Sequence, residues 1–445
     1  SESIFGGETS NEGNTSTARG GAIFNNGTMV LNGGNIFKNN SAATFGGAIY
    51  NRGSGILTIS GENTFEKNIS TDNGGAICSD GTLTIEATIE EEIKKGAIFT
   101  ENSSDAKGGA ISAKNLTVSG AEFTKNTAAI RGGAINVGVN DQTSSANISG
   151  STFTENSAGA GGAVYFDTNT TASVADSTFK GNSATGSGGA IYNSGNLTVS
   201  SSTFGGTGDG EGNTAYDHGG AIYNDGNLTL NGANSFVNNS TIDTEGAYGG
   251  AINSTTGKLT INAGSDADSG SKFINNSALS GGAIFIKDTT AGETNTINGA
   301  TFKGNKATAS NGGGAAILVN NSELTITDSI FGGTGDGEGN SSENISGAVD
   351  TQGNSVLTIN GNTSFINNSA KHIAGALRNL NSEVIISGNV TFSGNTAGTD
   401  GGAIYNTGIL NISSGTTFAN NSAANSGGAI YNASNLTNTI TGATF

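Results

Sequence analysis

Two identical loops carry the residues best placed to bind something. Phe204-Gly205-Gly206-Thr207-Gly208-Asp209-Gly210-Glu211-Gly212-Asn213 returns letter for letter from Phe331 to Asn340, and a related loop runs from Phe5 to Asn14. Asp209, Glu211 and Asn213, and again Asp336, Glu338 and Asn340, alternate with glycine. Oxygen donors spaced by glycine can wrap around a hard cation, so Ca²⁺ is the cofactor these loops suggest. Against it, each loop offers only two carboxylates and lacks the distal Glu of an EF-hand. A flexible bulge is the competing reading.

A file of tyrosines is the second candidate. Tyr165, Tyr192 and Tyr223 end successive copies of one short motif, and Tyr405 and Tyr431 end two later ones. Aromatic side chains stacked on an exposed face can bind sugars or protein partners. They can also simply support neighbouring strands. Catalytic constellations are harder to assemble. The chain has two histidines, His218 and His372, and its arginines are Arg19, Arg52, Arg131 and Arg378, mostly in unrelated repeat positions. Asp217-His218 is a lone pair before Gly219. Cys78 is the only cysteine, which excludes an internal disulfide. The chain therefore reads as non-catalytic.

The elements that hold these residues come from a repeat. In Gly188-Gly189-Ala190-Ile191-Tyr192-Asn193-Ser194-Gly195-Asn196-Leu197-Thr198-Val199-Ser200-Ser201-Ser202-Thr203-Phe204, three short clauses are separated by turn residues. The Ala of the first clause stands at 22, 48, 76, 110, 134, 163, 190, 221, 251, 283, 315, 348, 376, 403 and 429, a period of about 29 residues. Apolar residues alternate, as in Leu228-Thr229-Leu230 and Leu357-Thr358-Ile359, which is strand periodicity. Three short strands per period describe one coil of a right-handed parallel β-helix, an all-β solenoid of about 15 coils. Residues 1–445 then form a single repeat domain. The third clause ends in Phe three residues before an Asn, as Phe37 with Asn40 or Phe123 with Asn126. This predicts an internal Phe ladder, with Asn closing the corner in left-handed backbone and bonding from coil to coil.

The same alternation predicts that the aliphatic residue after the motif Ala points inward. The next position holds Phe24, Tyr50, Cys78, Ser112, Asn136, Asp350 and Arg378, and its tolerance of charge predicts a solvent-facing slot. Ile85, Ile89 and Ile93 fall four apart, with Glu90 four before Lys94, which suggests a short projecting helical turn or, equally, an irregular loop laid on the surface. Polar loops at 140–145, 265–270 and 288–293 are sites where a solenoid could build a binding face. Residues 346–378 read as weaker copies.

Gly-Gly-Ala-Ile followed by Phe-x-x-Asn, in register over nearly the whole chain, resembles the repeat of the chlamydial polymorphic membrane proteins and of adhesin-like surface proteins in other bacteria and methanogens. The resemblance implies an extracellular or cell-surface β-helical passenger or stalk with an adhesive role. Its partners would be a receptor or glycan on a host or neighbouring cell. It transfers no catalytic residue. A second reading is a filament subunit that stacks head to tail, its partner being itself. A more distant one is a β-helix that binds or cleaves polysaccharide. The chain begins inside a third clause and stops at Phe445 without its Asn, as a segment of a longer surface protein would. The net charge of −18 argues against nucleic acid and against anionic lipid. No run of eighteen apolar residues predicts a membrane-spanning helix.

Overall fold

A computed structural model describes residues 3–9, 11–90, 93–138, 142–264, 269–290, 292–310 and 312–445. Among them there is no helix. The chain divides into two compact units, Ser1–Tyr216 and Asp217–Phe445. Each is a parallel β-solenoid, and the repeat sequence runs through both.

A turn of the first unit shows the plan. Strands Val164–Phe166, Thr170–Ala175 and Thr178–Lys180 are the three clauses, and a two-residue strand, Ser183–Ala184, follows the corner. Each pairs in parallel with its counterpart in the adjacent turn, for example Val164 with Ile191 and Phe153 with Phe179. In the second unit Ile252–Thr255, Leu259–Asn262, Lys272–Ile274 and Ser277–Ala278 repeat this plan.

The core is a set of ladders, because parallel register places the same residue type above itself. In the first unit Phe37, Phe65, Phe99, Phe123, Phe153 and Phe179 are fully buried. Successive rings stack with centroids such as 4.8 Å for Phe99–Phe123 and 4.6 Å for Phe153–Phe179. The second unit continues the pattern from Phe236 to Phe418, with 4.8 Å between Phe273 and Phe302. Burying each ring contributes roughly 1.5–3 kcal/mol. Strand spacing sets the separation, so the rings meet at the distance parallel-stacked aromatics favour.

The Asn of Phe-x-x-Asn forms the second ladder. The Asn126 amide donates to the carbonyl of Phe99 at 2.9 Å and to Asn156 Oδ1 at 3.0 Å, while its own Oδ1 accepts from the backbone and side-chain nitrogens of Asn102. Every polar group of the side chain is used, which is why an amide is stable at zero exposure. The Asn is not the left-handed residue at this corner. That conformation falls on the residue before it: Asn39, Lys67, Glu101, Lys125 and Glu155 have φ of 54–57°. A third ladder lies beside the Tyr slot. Asn25 donates to Asn51, and Asn379 to Asn406 and Asn406 to Asn432, at the residue after the Tyr slot.

The paired glycines have separate causes. The first is left-handed, as Gly108 at φ +67°. A Cβ on the second, Gly109, would lie 2.1 Å from the Gly133 carbonyl of the next turn. The weaker copies keep this geometry: Ser346 and Ala374 take the left-handed place at φ 57° and 60°. One assignment shifts by a residue. Ala316, not Ala315, is the motif Ala, because Ala316 accepts from Ala283 N and donates to Ala348 O.

The segment after Ile85 is not helical. Strand Ile77–Glu86 continues the solenoid, and Thr88–Glu90 pairs antiparallel with Ile93–Lys95 as a hairpin, Ile89 opposite Lys94. The polar loops 140–145, 265–270 and 288–293 lie wholly or partly outside the described residues.

Candidate binding face

The slot after the motif aliphatic residue does point away from the solenoid core, yet it is largely covered. Tyr50 is 2% exposed, Cys78 5%, Tyr165 5% and Asp350 1%. The cover is the residue immediately before the paired glycines, which forms a bridge to the next turn, as Arg19 with Phe45 or His218 with Tyr248. Its side chains lie over the slot. The Arg19 guanidinium sits 5.2 Å from the Phe45 ring and 5.1 Å from Tyr50, and Arg131 sits 4.6 Å from Tyr165. Two outward columns thus pack on each other as a second, partly aromatic layer.

This layer changes the meaning of the polar residues in the slot. Asp350 is tolerated because the next turn brings Arg378 to it, Nε to Oδ1 at 2.7 Å and a second nitrogen to Oδ2 at 2.7 Å. Burial raises the Asp350 pKa and the guanidinium opposes that rise. Pairing, not solvent, explains the charge. Cys78 is likewise enclosed, and burial pushes its thiol well up, which makes it unreactive. Tyr50 donates its hydroxyl to Asp80, and burial followed by that contact raises its pKa.

The tyrosine file divides accordingly. Tyr165 and Tyr192 stack at 4.8 Å, and Tyr405 and Tyr431 at 5.0 Å. Tyr192, Tyr223, Tyr405 and Tyr431 are half-buried rather than exposed. They form rims of the layer, not an open stripe.

The second unit holds a cleft in this layer of about 200 Å³. Register places Asn253 between Tyr223 and Phe285 in the slot column. His218 and Tyr248 cover it, with ring centroids 5.5 Å apart, and Tyr248 stacks on Phe285 at 4.8 Å. Along one side run Thr255, Lys287, Asn320 and Gln352, a polar column in register. Thr255 donates to the Tyr223 hydroxyl at 3.1 Å. Two buried polar atoms here have no hydrogen-bond partner: Asn253 Oδ1 and His218 Nδ1. Burial, its largest cause, lowers the His218 pKa below 6.5.

Of these residues His218, beside Asp217, and Tyr223, at the end of its clause, carry a signal in the sequence. Tyr248 carries no motif signal because the residue before the glycines varies so widely, and Phe285 stands in a slot that accepts almost any residue type. Aligning that column with the slot column, rather than reading each motif alone, exposes the pair.

The acidic loops do not gather their candidate ligands. Asn213 and Asn340 are buried in the corner ladder, donating to the carbonyls of Phe179 and Phe302. Glu211 is held by Lys180 at 2.9 Å and caps its own turn at the Gly208 nitrogen. Glu338 repeats this with Lys303 and Gly335. Asp209 and Asp336 remain exposed. Among the described residues no group of three or more His, Cys, Asp or Glu is arranged for a metal.

The family model of the Chlamydia polymorphic membrane protein repeat matches residues 36–52, 64–80, 96–114, 150–167, 176–194, 389–407 and 415–433. Each match covers the Phe strand, the Asn corner, the glycines and the Ile strand, or most of them. No curated protein and no solved structure matches. The ladders, the glycine geometry and the matched stretches agree: this chain is a parallel β-solenoid in which the Chlamydia polymorphic membrane protein repeat is matched at seven places.

Proposed function

We propose that the chain is a non-catalytic, adhesin-like segment of an extracellular surface protein, a passenger or stalk that presents a repetitive face to a receptor or glycan. The observation that carries this reading is the repeat itself, matched at seven places on a fold that spends most of its repeated residues on building ladders. The outward columns are where residues vary from turn to turn, as Arg19, Phe45, His218 and Tyr248 do. A constant frame with a variable face suits recognition. The carboxylates of Glu211, Glu338 and Asp350 are each engaged by a cation of a neighbouring turn, which supports a structural use.

The test is adherence. Beads coated with the chain are expected to bind cultured epithelial or neighbouring-cell surfaces, and soluble chain is expected to compete. Beads that bind no better than albumin-coated ones on every surface would sink the adhesive reading.

A further inference from the structure

We infer that the cleft between Tyr223 and Phe285 is a binding site for one pyranose ring of a glycan. The inference rests on the adhesive reading and gives it a ligand class and a place. The cleft exists because Asn253 occupies a rung that its neighbours fill with rings. The missing ring leaves a recess that Tyr248, stacked on Phe285 at 4.8 Å, and His218 line without filling.

The chemistry of the gap is specific. Asn253 is 1% exposed, and its Oδ1 has no partner, although its amide nitrogen donates to the Tyr248 carbonyl at 3.3 Å. A buried carbonyl without a donor is a rare and costly state that asks for an explanation. His218 Nδ1 is unpartnered in the same cleft. Its imidazole is neutral at neutral pH: burial dominates and Lys287 adds to it, while Asp217 and Asp243 oppose it. A neutral ring nitrogen accepts or donates according to its tautomer, and a hydroxyl satisfies either. The occupant must therefore donate to Asn253, exchange a hydrogen bond with His218, and lay an apolar surface on the aromatic wall.

A pyranose does all three, with hydroxyls on its rim and C–H groups on its faces. A planar aromatic such as phenol would cover the wall but carries a single hydroxyl for the two unpartnered atoms. The volume of about 200 Å³ falls below the roughly 300 Å³ at which drug-sized pockets begin. One ring fits, and the rest of the glycan lies outside. Lys287 stands in the polar column at the rim and can meet a ring hydroxyl or a sugar carboxylate.

The experiment is saturation-transfer NMR on the whole chain with methyl α-glucopyranoside, methyl β-galactopyranoside, N-acetylglucosamine and N-acetylneuraminic acid, and with phenol as the aromatic control. At least one sugar is expected to receive saturation on its ring protons. Asn253→Leu, which fills the gap and removes the acceptor, is expected to abolish it. Lys287→Ala, a half-exposed change that leaves the ladders intact, is expected to weaken binding about tenfold for the acidic sugar. Lys371→Ala, an exposed lysine outside the cleft, is expected to change nothing. No transfer to any sugar, transfer that survives Asn253→Leu in a folded variant, or transfer to phenol alone would each overturn the site. Adherent beads without sugar binding would refute this inference and leave the adhesive reading standing; sugar binding without adherence would do the reverse.

Discussion

Asp350 shows how a single residue can mislead when its neighbours in sequence are not its neighbours in space. Its charge suggested solvent, yet it is buried and clamped by Arg378 from the next turn. Removing the clamp exposes the cost. Arg378→Met leaves a buried carboxylate unpaired, and the loss at neutral pH is expected to be about 3–5 kcal/mol. The sign of its pH dependence follows from burial. The Asp350 pKa is already raised above its ordinary 3.8, and the variant loses the group that opposed the rise. Below the ordinary value both folded and unfolded chains hold the proton, so the deficit is smallest in acid. The deficit grows by about 1.4 kcal/mol per unit between the folded pKa of Asp350 with its clamp and the higher one without it, then levels off. Urea unfolding of both chains from acid to neutral pH measures it; a deficit independent of pH would show that Asp350 is not held as described.

The turn of the solenoid is the element that the rest of the molecule repeats, and the hairpin at 88–95 is an addition to one turn. Removing residues 88–95 joins Ala87 to Gly96, leaving Ala87, Gly96 and Ala97 between Glu86 and Ile98. In the preceding turn Gly61, Glu62 and Asn63 make the same connection between Ser60 and Thr64. The deletion is therefore expected to keep the unfolding midpoint and slope, with a change within about 1 kcal/mol. Loss of cooperativity would mean that the hairpin braces its turn. The turn itself was legible because one residue type holds each inward place: Phe for the ring ladder, Asn for the corner, Ile beside the glycines. The hairpin was not. Ile85, Ile89 and Ile93 are four apart, an even spacing that suits a strand as well as a helix, and short apolar runs do not decide between them. The covering layer was hidden for another reason. Arg19, Phe45, Lys107, His218 and Tyr248 share a position but no chemical type. They lie over the slot through contacts between turns that no single motif contains, and so the Asn253 gap was invisible too.

Charge acts on the molecule as a whole. With 36 acidic and 18 basic side chains and a pI near 4.4, copies repel one another at neutral pH. The ion pairs between turns, such as Lys67 with Glu101 and Lys125 with Glu155, are surface pairs that order side chains without adding much stability. The excess acid is thus free to act over distance. It opposes approach to anionic lipid or sialylated surfaces, so the adhesion proposed above has to come from short-range contacts in the outward columns once screening permits approach. The same repulsion holds back self-association. Sedimentation velocity is expected to show single chains at neutral pH and low salt, larger species as pH falls towards the pI, and a partial shift on adding salt at neutral pH. Glu211 and Glu338 hold their charge into more acidic solution because hydrogen bonds from Lys180 and Lys303 lower their pKa values. Single chains at the pI and in high salt would mean that repulsion is not what keeps copies apart. Microscopy of the associated material separates the two partners the repeat allows. Fibres of uniform width would mean that the chain recognises itself through its strand edges, whereas irregular clusters would mean that lowering the charge merely removes a barrier and leaves the aromatic layer to find a different partner.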